Sequence, residues 1–340
     1  MKQSLNAYSL INTLPEYQKF SYHFDYVTLI VLATIIGFIL TLISTSKSVL
    51  YYWKHSAQNS PNTIHPYVFK SFVYMQVSSI VYTVFDFTII RIPLTSVVTS
   101  YFSTMESGSP VKYAVAGYYL FEYISQLFTV LFCLIRFLIF IDSKSYLKTS
   151  SLIFRICPVL AIIICFIACI PHSLYGVVVI QLDVPFQYGA IVFTSTASFT
   201  NVKTHTVKLA KFDNWFQNNL LIGRFIYSGF VTTSILLLSL TMLWKLRSLK
   251  KLSTNSNQNM RAETTLTITM FLILIPSVLN QIIIFISLFA RSYTSYTILI
   301  RLISVDYRVN IVSWYFYWTH PYFKKNIVPK TINAWSVTNC

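Results

Sequence analysis

The chain has 340 residues, 55% of them apolar, 17% aromatic and only 11% charged, with ten acidic side chains in all. A soluble domain carries about a quarter of its residues as charges, so this composition excludes an ordinary cytosolic enzyme, a disordered tail and a disulfide-stapled secreted module, and leaves a polytopic membrane protein. A net charge of +16 would suggest nucleic acid in a soluble protein, but in a membrane protein its distribution between loops sets topology, and no nucleic-acid partner is expected.

A helix crosses a hydrocarbon core of roughly 30 Å in about 20 apolar residues. Seven such runs are predicted, at 26–45, 72–90, 113–134, 157–180, 220–243, 266–289 and 296–318. They are continuous and not alternating, which argues against a β-barrel. The first follows a polar stretch and is longer than a secretory h-region, so it reads as a retained signal anchor.

The second run carries Gln76, Ser79, Thr83 and Asp86 at steps of three and four. In the third, Tyr119, Glu122, Gln126, Thr129, Cys133 and Arg136 recur at the same steps. Each set lies on one helical face and is expected to point into the bundle, as interhelical glue or as a ligand site. The fourth run holds Pro158 and Pro171, and the fifth holds Arg224. Pro276 lies in the middle of the sixth and is a candidate kink or hinge.

The seventh holds intramembrane charges at Arg301, Asp306 and Arg308. Arg301, Ser304 and Arg308 share one face, and Asp306, Asn310 and Ser313 the opposite one. Both cannot line one cavity, so one is expected to meet a neighbouring helix.

Fifteen Lys and Arg residues flank the ends of the odd spans and eight flank the other side. The bias places the N-terminus outside and the C-terminus in the cytosol. The fold expected is an all-α membrane protein, a seven-transmembrane helix bundle. Its parts are an extracellular N-terminus at 1–25, the transmembrane domain at 26–318 and a cytoplasmic tail at 319–340.

At 1.5 Å per residue, Asp86 and Arg301 lie about 6 and 8 Å below the outer boundary. They can pair if spans two and seven are neighbours. Glu122 and Arg224, about 14 and 6 Å deep, would flank an outer cavity rimmed by Tyr118, Tyr119, Tyr123, Tyr227 and Gln281. An aromatic cavity with a few polar points suits a small organic ligand. Tyr119, Glu122, Arg224, Tyr227 and Gln281 are the candidate ligand contacts, although any cavity in a chain with 27 Phe and 24 Tyr would be aromatic.

Nothing in the sequence calls for enzyme chemistry or a cofactor. His23, His55, His65, His172, His205 and His320 never fall at metal-ligand spacing on one helix. There is no Gly-x-Ser-x-Gly elbow and no Walker loop. The main alternative is a seven-span carrier of small solutes. Carriers built from repeats show matched broken helices, and Pro158, Pro171 and Pro276 do not match across halves.

The Cys133-Leu134-Ile135-Arg136 ending of the third span and the basic third inner loop resemble a G protein-coupled receptor. More narrowly, Arg136-Phe137-Leu138-Ile139-Phe140 and the Trp314-Tyr315-Phe316-Tyr317-Trp318-Thr319-His320-Pro321-Tyr322-Phe323-Lys324-Lys325 segment resemble the nematode serpentine chemoreceptors, in their class G and class U group. The resemblance covers roughly residues 24–325. It implies a chemosensory receptor, olfactory in kind, in the plasma membrane of a sensory cell or cilium. A small molecule or peptide would bind in the outer half, and a heterotrimeric G protein would dock near Arg136, Lys144, Lys148, Lys245 and Arg247. Two family features are missing: Ile135 stands where an acidic residue usually precedes Arg136, and Asn310 is not followed by proline. Residues 320–330 are expected to lie as a short amphipathic helix on the inner leaflet.

Overall fold

The computed structural model describes residues 11, 15–55, 65–104, 110–141, 146–174, 177–195, 210–252, 257–290 and 293–319. The tail helix expected at 320–330 and the loop holding Lys144 lie outside these residues.

Seven helical crossings are present among them. They are α2 (Tyr26–His55), α3 (Pro66–Asp86), α6 (Val111–Ile141), α7 (Tyr146–Leu174), α8 (Ala210–Leu252), α9 (Asn257–Phe289) and the pair α10 (Thr294–Asp306) and α11 (Val312–Thr319). Short helices α1 (Pro15–Gln18), α4 (Ile92–Leu94) and α5 (Thr99–Ser103) lie between or before them. Six crossings are long and apolar enough to span a bilayer on composition alone. The α10–α11 crossing falls short because Arg301, Asp306 and Arg308 occupy its middle. In lipid a backbone must satisfy its own hydrogen bonds, which favours uninterrupted helices.

The helices differ in what surrounds them. The α7 and α2 helices show long apolar faces, with Leu152, Ile156, Val159, Ile163, Phe166 and Ile170 exposed on the first and Leu29, Leu32, Ile36, Ile39 and Ile43 on the second. Such surface is tolerable only against hydrocarbon. The α3 and α6 helices are the most enclosed. Central α6 packs against α3, α7 and α8, while α9 bridges α8 and α10, and α11 returns to α2. Both polar stripes face inward as expected: Gln76, Ser79, Thr83, Asp86, Glu122, Gln126, Thr129, Cys133 and Arg136 are all buried.

The fourth span ends at Leu174, not at residue 180. The β-branched run at 177–180 forms β1 (Val177–Gln181), which pairs antiparallel with β2 (Ile191–Ser195), Val179 opposite Phe193. Val and Ile favour strands once the chain has left the helix. This hairpin caps the end of the bundle that carries the N-terminal segment. The Ile11 N–H donates to Val179 O (3.4 Å), Tyr17 stacks on Tyr188 (5.0 Å), and the Thr99 hydroxyl donates to Gly189 O (2.6 Å). Gly189 has φ +94°, and a Cβ there would stand 2.2 Å from Phe20, so only glycine fits. At the far end Phe72 stacks on Phe316 (3.9 Å) and meets Phe132 edge-on (5.9 Å).

Two crossings contain a π-turn, Phe87–Arg91 after α3 and Tyr307–Ile311 between α10 and α11. The first precedes Pro93, whose missing N–H deprives the carbonyl four residues earlier of its partner. Ile92 N–H donates to Phe87 O instead, five residues back. An α-helix would set Asp86 and Arg91 about 140° apart around its axis. The wider π-turn narrows that angle, and the two side chains meet at 2.6 Å.

Candidate functional site

The π-turn at 87–91 creates a polar cluster with a fully enclosed ion pair, Asp86 with Arg91, at its centre and Asp306, 21% exposed, at its edge. Asp86, at the end of α3, has no exposed surface. Its Oδ2 accepts from Arg91 Nε at 2.6 Å, and its Oδ1 stands 3.3 Å from Arg301 Nη1 on α10. Arg91 Nη1 reaches both oxygens of Asp306, at 2.9 and 3.1 Å. Arg301 also donates to the hydroxyls of Tyr82 (2.5 Å) and Tyr118. Two carboxylates and two guanidinium groups thus form a neutral chain, Asp306–Arg91–Asp86–Arg301, linking α3 to α10.

The depth reading brought Asp86 and Arg301 together, and they are indeed in contact. The count of basic flanks took Arg91 as one of the eight outer-side residues, whereas Arg91 is fully buried. Arg136, also counted as a loop residue, is buried too. Removing one from each side leaves the flanking bias at two to one, fourteen against seven. The signal that could have located Arg91 is its spacing, five residues after Asp86 and two before Pro93.

A second cluster joins α6 to α8. Both oxygens of Glu122 accept from Arg224 Nη2 at 2.8 Å. Glu122 and Arg224 therefore touch, with no space between them. The Arg224 guanidinium also lies over the Tyr119 ring (5.2 Å), and Tyr119 stacks on His172 of α7 (3.9 Å). The Tyr227 hydroxyl donates to Tyr123 O (3.0 Å), and Gln281 Nε2 donates to Phe225 O (3.4 Å). Four of the five candidate ligand contacts are thus brought together, while Gln281 is tied to α8 at the adjoining α9 face. The Arg224 side chain keeps 18% of its surface open, against 3% for Glu122.

Both faces of the seventh crossing are used, which resolves the sequence puzzle. Arg308 Nη2 donates to Ser125 O (2.7 Å) and Thr129 Oγ1 (2.8 Å) on α6. Ser304 donates to Pro276 O (3.4 Å) on α9. On the other face Asn310 Oδ1 accepts from the Thr41 hydroxyl (2.6 Å), and Ser313 bonds with Ser44 (2.8 Å) and Thr45 (3.0 Å), all three on α2. The second face is helix-to-helix contact.

At the end opposite the hairpin, the Phe140 ring has Arg136 at 5.9 Å and Lys245 at 5.5 Å, bridging α6 and α8. Arg247 is exposed. Lys148 lies on the first turn of α7, and its side chain is outside the described set. Among the described residues no three His, Cys, Asp or Glu side chains group so as to hold a metal ion.

A family described as serpentine type 7TM GPCR chemoreceptor Sru matches residues 11–326. No curated protein matches the chain. The match spans most of the sequence, and the chain belongs to this family of seven-transmembrane chemoreceptors.

Proposed function

We propose that this serpentine receptor binds a small ligand in the hairpin half of its bundle and signals to a heterotrimeric G protein at the opposite end. The observation that carries the reading is the Glu122–Arg224 contact, which joins two crossings in the hairpin half yet leaves Arg224 partly open. A ligand's polar group can compete for such a pair, whereas a fully enclosed one offers no access. A ligand shifts a two-state bundle only as far as its affinities for the two states differ. Displacing or reinforcing a contact between α6 and α8 supplies such a difference.

The basic flanks favour the hairpin end outside and the opposite end in the cytosol. The G protein would then meet Arg136, Lys144, Lys148, Lys245 and Arg247. Arg136 is buried, so its engagement requires α6 and α8 to separate around Phe140. The plasma membrane of a sensory cell, and its cilium in particular, is the site proposed for the receptor.

The test is nucleotide exchange on a G protein reconstituted with the receptor, over a panel of volatile and water-soluble small molecules. Ligand-dependent exchange is the expected result. Solute flux through receptor vesicles without any exchange would assign the chain to the carrier class instead.

A further inference from the structure

Leaving aside Arg136, which lies at the end opposite the hairpin, the seam between the helices holds one positive charge more than it can match. Arg91, Arg224, Arg301 and Arg308 face three carboxylates, Asp86, Glu122 and Asp306. Arg91 and Arg301 share Asp86, and Arg91 also holds Asp306. Arg224 takes both oxygens of Glu122. Arg308 is left with a backbone carbonyl and a threonine hydroxyl, both reached from one nitrogen. The one carboxylate on α6, Glu122, is already committed to Arg224.

Neutral oxygens satisfy N–H donors but not the charge itself, and an unmatched charge at membrane depth is costly. Arg308 is also not fully enclosed, and its guanidinium reaches α6 at Ser125 and Thr129, one to two turns along from Glu122. Buried polar atoms without a hydrogen-bond partner border the same region, among them Arg224 Nε, a donor, and Gln281 Oε1.

We infer that the ligand of this bundle is a small organic anion, bearing a carboxylate, sulfate or phosphate ester, and that Arg308 takes its charge. The inference rests on the receptor reading above and adds the ligand's chemical class. The bound anion gives Arg308 the counter-charge that its neutral oxygens do not. Its organic part lies against Tyr123 and Tyr227, whose rings meet edge-on at 5.1 Å. An empty receptor therefore carries a charge penalty that the ligand removes.

The experiment uses the full chain in lipid nanodiscs and reads thermal unfolding. Benzoate, hexanoate and phenyl phosphate are compared at millimolar concentration with benzamide and hexanamide, in chloride and in a chloride-free buffer. The acids should raise the melting temperature and the amides should not. Arg308→Gln keeps donors for Ser125 and Thr129 but removes the charge. It should leave the ligand-free protein as stable as wild type or more so, and weaken acid binding by about tenfold or more.

The proposal is overturned if amides match acids, if no acid binds, if chloride alone gives the whole shift, or if Arg308→Gln binds acids normally. It is equally overturned if Arg308→Gln unfolds or melts well below wild type, because Arg308 is then a structural clamp. Nucleotide exchange separates the two readings. Exchange driven by neutral compounds alone would keep the receptor and reject the anion, whereas acids that bind without exchange would keep the anion site and reject the receptor.

Discussion

The cluster around Asp86 and the contact around Glu122 use the same residue types to opposite ends. In the first, two carboxylates and two arginines run as a chain between α3 and α10, with Asp86 and Arg91 fully enclosed at its centre and Asp306 21% exposed at one end. In the second, a single ion pair between α6 and α8 remains partly open, with Arg308 nearby on neutral oxygens. A fully enclosed ion pair holds two helices in one arrangement. On the proposed reading, the partly open α6–α8 pair is the one a ligand displaces.

Substitutions can break or sharpen this contrast. The largest effect is expected for Asp86→Asn, which leaves Arg91 and Arg301 without their shared carboxylate. Removing one partner of a buried pair costs about 3–5 kcal/mol, and the variant should show a sharp fall in melting temperature and surface expression. A near-normal melting temperature would mean that the cluster is not structural.

Glu122→Gln should cost less, roughly 1–3 kcal/mol, because Arg224 keeps some access to solvent and glutamine keeps one acceptor oxygen. Its effect on ligand-dependent exchange should exceed its effect on unfolding. The reverse order would move the α6–α8 contact into the structural class.

Gly117→Ala tests how tightly the closed side is packed. The added Cβ would stand 2.8 Å from the Phe85 ring, and overpacking of this kind costs about 1–3 kcal/mol. Wild-type unfolding would show that Phe85 can swing aside. Asn310→Leu removes the hydrogen bond to Thr41, worth about 1 kcal/mol or less between membrane helices, and should shift the melting temperature slightly with ligand response intact.

The sequence carried the polar stripes well, because period 3.6 is a local property and every member of both stripes is buried. It carried the Asp86–Arg301 contact through depth alone, since both side chains lie at a similar level of adjoining helices. Arg91 escaped, because a π-turn changes the angular step on which helical faces are counted. The strand at Val177–Gln181 escaped for a related reason: a short apolar β-branched run reads alike as a helix end or a strand. In the seventh crossing Arg308 meets α6 and Asn310 and Ser313 meet α2, as separate faces, but Asp306 joins Arg301 in the cluster around Asp86, and which neighbour each meets depends on packing between segments far apart in the chain. The contact between Glu122 and Arg224 is of that kind, as it joins residues 102 positions apart.

The hairpin cap is held by hydrogen bonds and stacked tyrosines, and the five cysteines of the chain all lie elsewhere, at 133, 157, 165, 169 and 340. Its assembly is therefore indifferent to thiol chemistry. The receptor is expected to keep its hairpin cap when extracted and stored in dithiothreitol, a treatment that would dismantle a cap stapled by cystine.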